Sequence, residues 1–122
     1  MKHLRIIIAG GRDFNDTWLM KSYMSLVLIA LSDITNKFSF VSGEARGADK
    51  MGAAYARHLG AHVDLYPADW NRYGKSAGFI RNSIMADNAE VLVAFWDGKS
   101  RGTEHMIKTA KAKGLMVFVC NY

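Results

Sequence analysis

An α/β fold, with five strands in a doubly wound, Rossmann-like parallel sheet and helices on both faces, is predicted by three observations. Short apolar runs alternate with longer helical stretches along the whole chain. The strongest runs are continuous rather than alternating, the pattern of strands buried on both faces. The chain has 122 residues, a common size for one domain with one core. Residues 1–122 are therefore read as a single domain.

The elements follow in order. Residues 4–9 are apolar except for Arg5 and rich in isoleucine, and stop at Gly10-Gly11, which gives the first strand. Asn15-Asp16-Thr17 supplies capping side chains, and Trp18, Tyr23, Leu26, Val27, Ala30, Leu31 and Ile34 recur at helical spacing, so a long first helix is expected with these residues on its core face. Residues 38–41 read as the second strand, ending at Ser42-Gly43. Alanine-rich residues 48–59 read as a helix closed by Gly60. Residues 61–66 form a third strand stopped by Pro67. Residues 77–88 are a helix, 90–96 a strand, 102–113 a helix ending at Gly114, and 115–119 the last strand.

Half of the residues are hydrophobic, with one proline and no low-complexity run, which describes a folded globule without a linker. No secretory signal pattern opens the sequence, and the longest apolar stretch, around residues 26–31, is far below the ~20 residues needed to span a bilayer. No membrane association is expected. A single cysteine, Cys120, precludes an intramolecular disulfide and fits a reducing cytoplasm. His3, His58, His62 and His105 are scattered without ligand spacing, so neither a metal site nor a cofactor is expected. The net charge of +5 favours anionic partners without choosing among nucleotides, phosphosugars and nucleic acid.

In a doubly wound sheet the loops that follow the strands share one edge, and ligands bind there near the switch in strand order. The unusual residues of this chain fall in those loops: Gly10-Gly11-Arg12-Asp13-Phe14, residues 42–49, residues 67–75 and residues 96–103. Glycine lets backbone approach a ligand, and the N–H groups and dipole at a following helix N-terminus favour an anion. Arg12, Arg46, Lys75 and Arg101 would complete the neutralisation. A plainer account is that the glycines make tight turns and the bases are solvated. Neither the dinucleotide fingerprint nor G-x-x-x-x-G-K-[ST] occurs, so NAD-type and P-loop ATPase chemistry lack support.

Five ordered motifs carry a resemblance. They are residues 9–14, Ser42-Gly43 through Arg46-Gly47-Ala48-Asp49, Tyr66-Pro67-Ala68-Asp69-Trp70, residues 74–82, and Arg101-Gly102-Thr103. Over about residues 5–119 the chain resembles the YspA-like branch of the SLOG superfamily. That superfamily also contains the LONELY GUY cytokinin-activating phosphoribohydrolases and the DNA-processing protein DprA. The resemblance implies binding of a nucleotide or nucleotide derivative. By position it implies that Gly10, Gly11 and Arg12 form the first ligand loop, and that Ser42, Gly43, Arg46, Gly47 and Asp49 form the second. Arg81 and Asn82 would project from the third helix, and Ser100, Gly102 and Thr103 would hold a phosphate. Asp13 and Asp49 are the candidate acceptors for ribose hydroxyls; helix capping is the ordinary alternative for Asp49. Trp70 is the candidate stacking platform, with Tyr73 and Trp96 also beside the loops.

The resemblance leaves turnover open. LONELY GUY enzymes carry P-G-G-x-G-T-x-x-E, and here the position of that glutamate is Met106 in Gly102-Thr103-Glu104-His105-Met106. Glu104 is displaced from it by ~200° around a helix and does not inherit the role. Glu44, Glu104 and Asp13 are the remaining candidate catalytic carboxylates for glycosidic cleavage. The leading expectation is thus a domain that senses or sequesters a small nucleotide-like ligand. A phosphoribohydrolase-like or nucleoside-processing enzyme is the alternative, and single-stranded DNA binding is third because no continuous basic run occurs. A homodimer is expected from the resemblance, while the helix patterns do not fix it.

Overall fold

The computed structural model describes residues 2–122. Five parallel strands form one sheet in the order β3-β2-β1-β4-β5: β1 His3–Gly10, β2 Lys37–Ser42, β3 Val63–Leu65, β4 Val91–Trp96 and β5 Met116–Asn121. The helices are α1 Thr17–Leu31, α2 Ala48–His58, the four-residue α3 Trp70–Tyr73, α4 Ala77–Asp87 and α5 Arg101–Ala112. A 3-10 turn, Gly74–Ser76, joins α3 to α4. The expected α/β architecture is therefore present. No helix is long and apolar enough to cross a membrane, as far as the described residues go.

The central strands owe their place to their composition. Ile6, Ile7, Val91, Leu92 and Val93 are fully buried, because successive side chains of β1 and β4 enter two different layers and both layers are covered. On one face Ile6, Ile8, Phe40, Val91 and Val93 pack with Met20, Met24, Val27 and Leu31 of α1 and with Ala48 and Ala56 of α2. On the other, Ile7, Val41, Leu92 and Ala94 pack with Met85 and Ala86 of α4 and Met106, Ile107 and Ala110 of α5.

Three sequence expectations change. The core face of α1 is Met20, Met24, Val27 and Leu31, whereas Trp18, Leu26, Ala30 and Ile34 are exposed and Tyr23 is half-buried. The cause is that α1 is apolar around nearly its whole circumference, so periodicity alone does not fix its phase. The third strand is three residues rather than six. The Ala61 N–H still donates to Ala56 O at the end of α2, and ladder pairing runs only from Phe40↔Val63 to Ser42↔Leu65. Residues 67–75, read as loop, contain α3 with the Asp69 side chain accepting the Arg72 N–H at 3.1 Å. A one-turn helix has no periodicity to read.

Candidate functional site

The strand order reverses direction between β1 and β4, so the loops leaving these two strands part and open a crevice. The cleft there has a volume of about 470 Å³. From the first loop Gly10, Gly11, Arg12 and Asp13 line it; from the second, Arg46 and Asp49. Trp70, Lys75, Arg81 and Asn82 contribute from the α3–α4 segment, and Ser100, Gly102 and Thr103 from the start of α5. Residues from four loops thus meet at one edge.

Of the residues predicted to bind the ligand, Ser42, Gly43 and Gly47 lie outside this lining, and Arg101, predicted to help neutralise an anion, lines neither this cleft nor the one beside it. Ser42 is buried at the end of β2, where its hydroxyl donates to Asp49 O at 3.2 Å and accepts the Glu44 N–H at 3.1 Å. Gly47 sits behind the first loop at φ 81°, and a Cβ there would collide with the Gly11 and Arg12 carbonyls. Its role is to bring the two loops together, helped by the Ala48 N–H, which donates to Gly11 O at 3.1 Å. Gly43 lines a second, contiguous cleft of about 620 Å³ together with Glu44, Pro67 and Ala68, and Arg12, Ala45, Arg46, Trp70 and Arg81 border both. The Arg12 guanidinium carbon stands 5.9 Å from the centre of the Trp70 ring, on the partition between the two lobes.

The electrostatics are those of a cationic crevice with controlled carboxylates. Burial pushes the Asp49 carboxyl up to about 6, against the opposing pull of Arg81, of hydrogen bonds from the Ala45 and Gly10 backbone, and of Arg12. Burial likewise lowers the Arg81 pKa, with Asp49 raising it and Arg12 lowering it further. The Arg81 head is fixed by two donations, Nη1 to Gly43 O at 2.6 Å and Nε to Asn82 Oδ1 at 3.1 Å. Asn82 in turn reaches α5, its Nδ2 donating to Gly102 O at 3.3 Å and lying 3.2 Å from His105 Nδ1. Burial lowers the His105 pKa, which keeps that ring nitrogen available as an acceptor.

At α5 the Ser100 hydroxyl accepts the Thr103 N–H at 3.4 Å and the Ser100 carbonyl accepts the Glu104 N–H at 3.1 Å. Among the described residues the N–H groups of Arg101 and Gly102 have no protein acceptor, which leaves two donors and the helix dipole for an anion. Asp97 shapes the approach by accepting the Lys99 and Ser100 N–H groups, both at 2.8 Å, and these bonds lower its pKa.

The candidate carboxylates separate. Asp13 accepts the Tyr122 hydroxyl at 3.2 Å, and Tyr122 also packs edge-on against Phe14 with centroids 4.9 Å apart. Glu44 borders the second lobe and holds φ 59°, the one non-glycine residue with positive φ among the described residues. Glu104 lines neither lobe and pairs with Lys108 at 3.5 Å on the exposed side of α5. Met106 is buried and lines the cleft at the position where the hydrolase motif has glutamate.

Sequence reasoning missed Phe79, Gly78 and Met106 as lining residues and Tyr122 as a support of the first loop. Phe79 stands three residues before Asn82 and therefore on the same face of α4, stacked on the His105 ring at 4.1 Å. That spacing was the available signal. Of the other aromatics near the loops, Trp96 donates its indole N–H to Ser100 O at 3.1 Å, and Tyr73 faces a separate groove.

The profile of the YspA, cpYpsA-related SLOG family matches residues 4–73, more than half of the chain and the segment that carries the first two ligand loops. The chain belongs to that family. It is also similar to the Gene 61 protein of Mycobacterium phage D29, with 34% identity over 123 residues that cover 93% of each chain. No solved structure matches it. The Gly74–Asn82 and Arg101–Thr103 motifs lie beyond the matched SLOG residues, and the cleft brings them onto the same site as the matched loops.

Proposed function

We propose that this SLOG protein binds a nucleotide or nucleotide-derived ligand in the cleft at the carboxyl edge of the sheet, as a sensing or sequestering module. The observation that carries this reading is the convergence of Arg12, Arg46, Lys75 and Arg81 on a crevice that also holds the first turn of α5. Family membership is associated with ligands of that class. A phosphate at α5 would take the Arg101 and Gly102 N–H groups, with Ser100 and Thr103 beside them. The Trp70 ring offers a face to a base, and Asp49, placed between the first two loops, accepts from ribose.

Binding without turnover is favoured over N-glycosidic hydrolysis because Met106 fills the glutamate position and Glu104 points to the other side of α5. The test is a thermal-shift titration with nucleoside mono-, di- and triphosphates, cyclic nucleotides, nucleotide sugars and short single strands, with released base and sugar phosphate assayed in the same samples. Stabilisation by a nucleotide without product supports the reading. Release of base that is lost in Glu44→Gln or Asp13→Asn would make the protein a hydrolase. Stabilisation by oligonucleotides alone, with a steep salt dependence, would make it a single-strand binder. No response to any of these sinks the proposal.

A further inference from the structure

The cleft holds more space than a mononucleotide needs. Its first lobe, at about 470 Å³, is by itself within the roughly 300–1,000 Å³ of an ordinary small-ligand pocket. The second lobe adds about 620 Å³ beyond the Arg12–Trp70 partition. Its own walls differ in chemistry from those of the first: Pro67 and Ala68 give an apolar side, and Glu44 is the one acidic residue in its lining. Glu44 is half-buried, and among the described residues its carboxylate makes no hydrogen bond or ion pair, although Arg12, Arg46 and Arg81 border the same lobe. Its backbone holds φ 59°, a left-handed conformation that a glutamate adopts only where its surroundings impose it.

The cations stand at the junction of the lobes. Arg81 donates one N–H to Gly43 O and one to Asn82 Oδ1, and the rest of its guanidinium donors are open to a ligand. The same Asn82 amide that accepts from Arg81 at 3.1 Å donates to Gly102 O at 3.3 Å, so the guanidinium and the first turn of α5 are separated by one amide and its two hydrogen bonds. Two linked phosphates span that interval, one on the Arg101 and Gly102 N–H groups and the next on Arg81, with Arg12 and Arg46 beside it.

We infer that the second lobe is a sugar subsite, and that the ligand is a nucleoside diphosphate esterified at its outer phosphate to a pentose or hexose. The inference rests on the nucleotide reading of the first lobe and extends it. A sugar presents hydroxyl donors, which the acceptor-only Glu44 carboxylate takes, and a C–H face, which packs on Pro67 and Ala68. A third phosphate in the same place would bring its charge against Glu44, and a second base would find no aromatic face there besides Trp70.

Isothermal titration calorimetry of the full chain tests it, with ADP, UDP and GDP, with ADP-ribose, ADP-glucose, UDP-glucose and GDP-mannose, and with ATP, UTP, GTP and diadenosine diphosphate. For the base that the cleft accepts, a sugar ester is expected to bind at least about tenfold tighter than its parent diphosphate. That gain runs against charge, since esterification removes negative charge that the arginines attract, and so it reports contacts made in the second lobe. Ala68→Phe, which fills that lobe, is expected to bring the ratio of the two affinities to about one. Glu44→Gln, which replaces a charged acceptor by a neutral one, is expected to lower the ratio at least about threefold with unchanged circular dichroism. Sugar esters that bind no tighter than diphosphates that do bind overturn the inference and leave the nucleotide reading standing. A triphosphate or diadenosine diphosphate that outbinds every sugar ester, or a gain that both variants leave intact, overturns it as well. Absence of binding by every compound removes the nucleotide reading and the inference together.

Discussion

Burial holds the Asp49 carboxyl at about 6, above its ordinary 3.8, and this makes a single residue visible in the stability of the whole protein. A carboxylate whose folded pKa is raised binds a proton in the native state that the unfolded chain has already released, so stability falls as pH rises from about 4 to about 6 and is level above that. Urea unfolding between pH 4 and 8 is expected to show this slope, and Asp49→Asn to flatten it and gain roughly 1–3 kcal/mol at pH 8 relative to the parent. An unchanged slope in the variant would mean that another group titrates. At the first loop, burial and Asp13 hold the Tyr122 phenol up at about 12, so it remains a donor across the working range. Tyr122→Phe removes that donation and is expected to cost about 0.5–1 kcal/mol in urea unfolding, with faster amide exchange at Gly11–Phe14. Gly43 was read from the resemblance as part of the second ligand loop. Its need for close approach comes from the Arg81 guanidinium, which would collide with a Cβ there. Gly43→Ala is expected to lose about 1–3 kcal/mol, and the displaced Arg81 to weaken nucleotide binding in the thermal-shift assay.

At the scale of elements, continuous apolar strands and capped helices were legible because their signals are local. β1 and β4 were readable from apolar runs rich in isoleucine and valine, and α5 from a helical pattern closed by Gly114. Ser100 serves twice, capping α5 and standing in the cleft. Ser100→Ala is expected to cost about 0.5–1 kcal/mol in thermal unfolding, toward the low end for a cap because its bond to the Thr103 N–H is long at 3.4 Å. Ser100→Asp restores the cap but should still fail to restore binding of a phosphate-bearing ligand, since it places negative charge beside the anion. Equal binding by Ser100→Asp and the parent would move the phosphate away from α5. The phase of α1 was not legible, because a helix apolar all round offers several equivalent faces and only the sheet beneath selects Met20, Met24, Val27 and Leu31. The one-turn α3 was not legible either, though its cap Asp69 and its Trp70 stand in a motif read for other reasons.

At the scale of the molecule, the position of the cleft follows from the strand order. Because β4 lies on the far side of β1 from β2, the loops after β1 and β4 diverge, and the α4 and α5 N-termini come to the same edge as α2. Raising salt from about 50 to 200 mM is expected to weaken binding of a nucleotide measurably but modestly, since the cations line a partly enclosed crevice and a small ligand engages few of them. A loss of several orders of magnitude would instead indicate counterion release from a polyanion.

The amino-acid sequence by itself determined the alternation of strands and helices, the one-edge placement of the polar loops, the family, and most of the residues that line the cleft. These rest on local pattern and on motifs that survive without coordinates. Only the tertiary structure decided which loop glycines support the site from behind, that Met106 and Phe79 enter it, that Tyr122 braces Asp13, and which face of α1 is left to solvent. Each of those depends on contacts between residues far apart in the chain, and spacing along a chain carries no information about which distant side chain fills a given space.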